Sequence, residues 1–91
     1  MVRVVWPDEV VARIDQIIAY IDVFEPSAAR RMGDKLFALG DSLISSPRRG
    51  RPAPGGTREL VTVMPYILSH EFQGETVTIL HIRHGARRPL D

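Results

Sequence analysis

The hydrophobic positions of this 91-residue chain follow a helical period in the first half and a strand period in the second. Apolar residues recur at steps of three and four in two stretches, residues 10–23 and 29–43. Such steps place side chains along one face of a helix. Pro7, followed by two acidic residues, marks the start of the first helix, and Pro26 marks the start of the second. We predict two amphipathic helices that form an antiparallel hairpin.

Strands are predicted on both sides of the helical hairpin. They cover residues 3–6, about 58–63, about 66–72 and about 76–84. Gly74 suits the tight turn of a hairpin between the last two strands. The last strand is apolar on both faces, with Val77 and Ile79 on one and Leu80 and Ile82 on the other. That pattern favours a central strand, so we expect the first strand to lie beside it.

The predicted fold is therefore α+β, a single domain over residues 1–91 with the order β-α-α-β-β-β and the helical hairpin packed on a small, mainly antiparallel sheet. Residues 47–56 are rich in proline, glycine and arginine and are predicted to form an extended, exposed loop. Gly33 and Gly40 mark places where another segment approaches the second helix closely. Trp6 is expected in the core, with its ring N–H bonded to a carbonyl.

Composition narrows the class of protein. At 44% hydrophobic and 25% charged residues, the chain is typical of a globular domain. No stretch approaches the roughly 18 apolar residues of a membrane span, and the N-terminus lacks a signal-peptide pattern. We therefore expect a cytoplasmic protein with no membrane association. The absence of cysteine excludes disulfides and thiolate chemistry.

Charge is distributed unevenly along the chain. Residues 1–45 carry five basic and seven acidic side chains, a balance of −2, whereas residues 46–91 carry seven and four, a balance of +3. All seven basic residues of the second half are arginines. The planar guanidinium suits phosphate and carboxylate groups, so the second half predicts an anionic partner.

The three histidines do not form a convincing metal site. The predicted hairpin register places His70 opposite Val77 or Thr78, three or four residues along the ladder from His81. At about 3.3 Å per residue, that separation is on the order of 10 Å and too long for a shared ion. His70 is better explained as a packing residue, and His84 as a residue that orients the C-terminal turn. We predict no metal, no cofactor and no catalytic residues.

Three segments of the second half carry a family resemblance: TREL at 57–60, PYILSHEF at 65–72 and TVTILHIRHGARRPLD at 76–91. Together with the helical hairpin before them, they resemble the RelE/ParE superfamily of bacterial toxins, and most closely its ParE-like (plasmid stabilisation) branch. The resemblance covers nearly the whole chain. It implies the same helical hairpin and strand meander that the hydrophobic pattern predicts.

The resemblance implies a toxin of a type II toxin–antitoxin pair that inhibits DNA gyrase by binding it. It also implies a cognate antitoxin, ParD-like or similar, that wraps the toxin with an amphipathic helix and an extended segment in a hetero-oligomer. Operator DNA would be bound only through the antitoxin. The residues expected to bind the target are Arg58, Arg83, His84, Arg87 and Arg88. The residues expected to bind the antitoxin are Ile14, Ile18, Ile21, Met32, Leu36 and Leu39.

Two alternatives stay open. RelE-like relatives are ribosome-dependent mRNA endonucleases, which carry a basic residue after the tyrosine of the second meander strand, an arginine after the terminal glycine and a C-terminal tyrosine. Here Ile67 follows Tyr66, and the chain ends at Asp91 without a later tyrosine, so that only Arg87 matches. The second alternative is a non-toxic relative that only binds its antitoxin.

Overall fold

The computed structural model describes residues 1–85 and shows two helices packed on a five-stranded sheet. The elements are β1 (Arg3–Val5), α1 (Asp8–Asp22), α2 (Pro26–Asp41), a 3-10 turn (Ser42–Ile44), β2 (Arg51–Ala53), a second 3-10 turn (Pro54–Gly56), β3 (Thr57–Leu60), β4 (Tyr66–Gln73) and β5 (Thr76–His84). The predicted α+β class and the helical hairpin are confirmed.

The strands lie in the order β1-β5-β4-β3-β2. The first strand pairs in parallel with the start of the last one, Val4 opposite Val77, and all other pairs are antiparallel. The predicted position of β1 beside β5 is therefore confirmed. Gly74 has a φ of 61° in the turn between β4 and β5, a conformation that glycine adopts without strain.

The arginine-rich loop contains a strand that the sequence did not predict. Arg51–Ala53 forms β2 and pairs with Thr57–Leu60 at the edge of the sheet. Pro52 lacks a backbone N–H, but an edge strand tolerates proline because one side of it needs no ladder bonds. The expectation of a plain extended loop over residues 47–56 was wrong for these three residues.

A β-bulge in β5 changes the predicted faces of that strand. Ser69 pairs with His81 whereas His70 pairs with Ile79, so Leu80 has no residue opposite it. The extra residue shifts the alternation of side chains along the strand. Ile82 consequently joins the same core as Ile79, and the prediction that it faces the opposite side from Ile79 was wrong. The predicted register was also wrong, since His70 lies opposite Ile79.

The core lies between the helices and one face of the sheet. Val10, Ile14 and Ile17 of α1 and Leu36 of α2 are buried there, against side chains of β3, β4 and β5. These positions are the apolar stripes predicted from the three-and-four spacing. Within residues 1–85, no helix is long and apolar enough to cross a lipid bilayer.

The two glycines of α2 mark close approaches, as predicted. A Cβ at Gly33 would lie 2.7 Å from Ile18 Cδ1 of α1, and a Cβ at Gly40 would overlap the six-membered ring of Trp6. The Trp6 ring also packs on Phe37, with the centroids 5.1 Å apart. Its Nε1 donates to Asp41 Oδ1 at 3.0 Å, so the acceptor is a carboxylate and not the carbonyl that we expected.

We predict that alanine destabilises the fold at Gly40 and leaves its stability unchanged at Gly33. Gly40→Ala places a methyl group against a rigid indole and should lower the free energy of unfolding by about 1–3 kcal/mol. Gly33→Ala meets only the flexible end of Ile18, and alanine gains about 1 kcal/mol of helix propensity, so its stability should stay close to that of the wild type. Urea denaturation of both variants measures the difference. Equal destabilisation by the two substitutions would contradict the packing argument.

Candidate functional site

Two arginines share one carboxylate on the sheet face that points away from the helices. Arg83 Nη2 of β5 lies 3.2 Å from Glu59 Oε2 of β3. Arg51 of β2 approaches the other oxygen, with its Nε 3.0 Å and its Nη2 3.0 Å from Glu59 Oε1. Glu59 and Arg83 are only 14% and 19% exposed, whereas Arg51 is 56% exposed. We call this group the Arg51–Glu59–Arg83 cluster.

The cluster keeps Glu59 ionised. Burial by itself raises the pKa of the Glu59 carboxyl, but the hydrogen bonds and positive charges of Arg83 and Arg51 together outweigh it and hold the pKa below its ordinary value of 4.5. One carboxylate between two guanidinium groups leaves a net charge of +1. The cluster therefore holds an ordered net positive charge on this face of the sheet.

The structure divides the residues predicted to bind the target. Arg83 lies in the Arg51–Glu59–Arg83 cluster, but Arg58 precedes Glu59 in β3 and therefore points to the opposite face. Arg58 Nη1 donates to Gly50 O at 3.0 Å. Arg87 and Arg88 lie outside the described residues. Arg51 was not among the residues predicted to bind the target, because nothing in the local sequence shows that it pairs beside Glu59.

The same face carries the residue that follows Tyr66 in β4. At this position the family resemblance implies a basic residue in RelE-like nucleases. Here it is Ile67, which is buried and lies opposite Arg83 in the β4–β5 ladder. Glu59 adds a negative charge next to this position. Stabilising a phosphorane requires cations where charge develops, and a nearby carboxylate opposes that.

A groove runs between α1 and the adjoining ends of β4 and β5. It encloses about 680 Å³ and is lined by Arg13, Gln16, Ile17, Tyr20, Ile21, Pro65, Tyr66 and His84. The Tyr66 and His84 rings meet edge to face, with their centroids 5.7 Å apart. His84 thus lies in the wall of a groove on the helix side. Arg83, which was predicted to bind the target together with His84, lies on the other face of the sheet.

An exposed apolar patch adjoins the groove at the end of α1. Tyr20, Val23 and Phe24 are 67%, 78% and 73% exposed, and the rings of Tyr20 and Phe24 are 5.4 Å apart. Contiguous exposed apolar side chains mark interaction sites. The sequence held a signal for this patch, because Val23 and Phe24 follow the stripe of α1 immediately before the break at Pro26.

The predicted antitoxin residues fall into two groups. Ile14 and Leu36 are 0% exposed in the core, where the sheet covers them, so they are not available to a partner while the fold is intact. The other four are partly buried at the edge of that core: Ile18, Ile21, Met32 and Leu39. Of the six, Ile21 lines the groove.

One edge of β5 is open beyond its pairing with β1. β1 pairs only with Thr76–Thr78, so residues 79–82 have no neighbouring strand on that side within the described part of the chain. Arg13 Nε of α1 donates to Ile82 O there, at 3.4 Å. An open strand edge is a template for an added strand.

The chain is similar in sequence to known proteins over most of its length. Residues 4–89 match the family model described as the ParE toxin of the type II toxin–antitoxin system parDE. The chain is 42% identical over 87 residues to Toxin RelE2 of Caulobacter vibrioides, covering 96% of this chain and 99% of the relative. It is 32% identical over 74 residues to Toxin RelE1 of the same organism, covering 78% and 80% of the two chains.

The fold also matches a solved structure described as the chromosomal ParDE TA system from P. aeruginosa. The TM-score is 0.81 at 22% sequence identity, and the match covers 92% of this chain and 96% of the other. At that identity the match concerns the fold. It agrees with the α+β architecture predicted from the sequence.

We predict that Glu59→Gln destabilises the fold at neutral pH. The substitution removes the charge that pairs with the half-buried Arg83 and should cost roughly 1–2 kcal/mol. Since the folded-state pKa of Glu59 lies below 4.5, the wild-type advantage is fully present above that pH and is lost as the pH falls through the folded-state value. Urea unfolding from pH 7 downward measures it.

The matched control is Glu75→Gln. Glu75 pairs only with the N-terminal amine among the contacts described, and its side chain is 74% exposed. Exposed pairs of this kind contribute little, so this variant should follow the wild type. A gap for Glu59→Gln that stays constant below pH 4.5 would contradict the ionisation argument.

Proposed function

Because the chain belongs to the ParE toxin family of type II toxin–antitoxin systems, we propose that it stops growth by binding DNA gyrase and is neutralised by a cognate antitoxin. The observation that carries this proposal is the Arg51–Glu59–Arg83 cluster. It supports binding because its carboxylate and the neighbouring Ile67 occupy the face where a nuclease needs cations. The protein then acts by occupying a surface of its target and breaks no bond.

The target surface would be acidic. The Arg51–Glu59–Arg83 cluster has a net charge of +1, and the sequence adds Arg87 and Arg88 soon after β5 ends at His84. Arginine forks recognise carboxylates in a fixed geometry. The partly buried position of Glu59 fixes the guanidinium of Arg83 before the target binds, which lowers the entropy lost on association.

The antitoxin would bind on the other side of the molecule. An amphipathic helix would lie in the groove, with its apolar side on Tyr20 and Phe24 and an acidic side chain near Arg13. An extended segment would continue along the open edge of β5. The description of the structural neighbour as a ParDE system supports a ParD-like partner. In such a hetero-oligomer, operator DNA would be bound through the antitoxin.

The two surfaces are separate, which suggests how neutralisation would work. The Arg51–Glu59–Arg83 cluster lies on the sheet face opposite the helices, whereas the groove is walled by α1. His84, in the groove, neighbours Arg83 in β5. An antitoxin bound along β5 would therefore reach the strand that also carries a target-binding arginine, and would exclude the target sterically.

The first test concerns the antitoxin surface. Phe24→Ser removes an exposed ring from the apolar patch and should weaken antitoxin binding by roughly 10–100-fold, as expected for a central aromatic contact. Ile44→Ser is the matched control, because Ile44 is 51% exposed and lies after α2, at the opposite end of the helical hairpin. Calorimetric titration with the antitoxin encoded beside the toxin gene measures both.

The folding of both variants is checked first by circular dichroism. A Phe24→Ser variant that binds as tightly as the wild type would place the antitoxin elsewhere. Equal weakening by Ile44→Ser would show that the loss does not report the patch.

The second test concerns the target. Purified protein should inhibit supercoiling by gyrase, and expression without antitoxin should stop growth with DNA damage while translated messages stay intact. Arg51→Gln should weaken supercoiling inhibition by about tenfold, because an exposed arginine is lost from the binding face. Arg30→Gln, at an exposed position of α2, is the control of equal charge change.

The other outcomes identify the alternatives. Cleavage of translated mRNA with normal supercoiling would contradict the gyrase proposal and support a ribosome-dependent nuclease. Normal growth with tight antitoxin binding would indicate a non-toxic relative.

A further inference from the structure

A second basic site lies on the helix side of the sheet, where residues 47–50 cross over β3 and β4. A polar cavity of about 190 Å³ lies there and is partly open to solvent. Its lining includes Pro47, Arg48, Arg58, His70, Glu71 and Phe72. It lies on the face opposite the Arg51–Glu59–Arg83 cluster, because Arg58 and Glu59 are consecutive in a strand. The cavity is also separate from the groove beside α1, with which it shares no lining residue.

Arg58 is held in a fixed position in the wall of this cavity. It lies opposite His70 in the β3–β4 ladder, and its Nη1 donates to Gly50 O at 3.0 Å. A guanidinium has five N–H donors in a planar fork, and this bond uses one of them. The tether therefore orients the fork and leaves donors that can bind an oxyanion.

Arg48 is placed on the other side of the cavity by an aromatic ring. Its Cζ lies 4.8 Å from the centroid of the Phe72 ring. Such stacking binds the flat side of the guanidinium and leaves its N–H edge available. His70 fixes the same loop, because its Nε2 lies 2.9 Å from Arg49 O.

The His70 ring is neutral, so one ring nitrogen is a hydrogen-bond donor and the other an acceptor. A carbonyl only accepts, so Nε2 must be the donor to Arg49 O and Nδ1 the acceptor. Desolvation by burial is the main cause that lowers the pKa of His70, and the charge of Arg58 adds to it. Nδ1 is buried and has no hydrogen-bond partner within residues 1–85.

The charges of the wall favour an anion. Arg48 and Arg58 contribute two positive charges, whereas Glu71 follows His70 in β4, so its side chain points to the other face of the sheet. A tetrahedral anion fits within a cavity of about 190 Å³, and both arginines belong to its lining. We propose that this cavity is a phosphate-binding site in which Arg48 and Arg58 clamp the phosphate oxygens from two sides.

The site goes beyond the proposed function. The family resemblance assigned Arg58 to target binding, but Arg58 lies on the face opposite the Arg51–Glu59–Arg83 cluster, and the other lining residues belong to neither the gyrase nor the antitoxin surface. The ligand is a free phosphate compound or a phosphate of a nucleic-acid backbone, and both present the same oxyanion. The loop of residues 47–50 is already held by the hydrogen bond between His70 and Arg49 O. A phosphate bound by Arg48 would order this loop further, because Arg48 belongs to it.

The test is a titration of the purified full chain with inorganic phosphate at constant ionic strength, followed by amide NMR shifts. Saturable shifts are expected at residues 48, 58 and 70, with a dissociation constant of roughly 1–10 mM. Arg48→Gln should weaken binding by about tenfold, as expected for a charge-assisted contact. Arg30→Gln, an exposed arginine of α2 that does not line the cavity, should bind phosphate like the wild type.

Shifts that do not saturate, or equal weakening by Arg30→Gln, would overturn the proposal, because either result indicates general charge screening. Arg48 is exposed, so its substitution should leave the fold intact, and circular dichroism verifies this. Given a saturable site, a single-stranded oligonucleotide distinguishes the sources. Displacement of phosphate by the oligonucleotide, weakened in Arg48→Gln, identifies a nucleic-acid backbone, and failure to displace it identifies a small phosphate compound.

Discussion

One extra residue in the central strand determines which side chains the two sheet faces carry. Without the bulge at Leu80, strict alternation along β5 would put Ile82 on the face opposite Val77 and Ile79. With it, all three pack against the helices in a single core. The face away from the helices carries charged side chains, and Arg83 is placed there by the same shift.

The molecule consequently keeps its basic groups on separate surfaces. In β3, the consecutive residues Arg58 and Glu59 point to opposite faces, so one strand contributes to two sites. The helix side combines a groove and an apolar patch near Tyr20 with a small polar cavity under the arginine-rich loop. In a chain of 91 residues, both faces of the sheet and one side of the helical hairpin therefore carry surfaces that share no lining side chains.

Local patterns predicted much of the fold. The spacing of apolar residues gave both helices nearly to their observed ends, and Gly33 marked the contact between them because the end of the Ile18 side chain of α1 packs over it. Pairings between distant segments were not predicted. Edge strand β2 depends on the register with Glu59, and the bulge at Leu80 leaves no local signal in a strand that is apolar throughout.

The candidate sites were predicted less well for the same reason. An arginine-rich C-terminal half pointed correctly to charge, but Arg83 and Arg58 are brought to opposite faces by the register and not by their own neighbours in sequence. The helical stripes identified apolar surface without distinguishing what the sheet covers. Ile14 therefore belongs to the core, and the exposed Phe24 lies just beyond the pattern.

The parallel pairing of β1 with β5 also has a consequence for folding during translation. Arg3 bonds to Thr76, 73 residues later, so the N-terminal strand has no partner until residues 76–78 have been translated. Contacts of such long sequence separation form late and slow folding. The two helices therefore emerge from the ribosome before β1 can pair, and the sheet on which they pack closes only after β5 has been made.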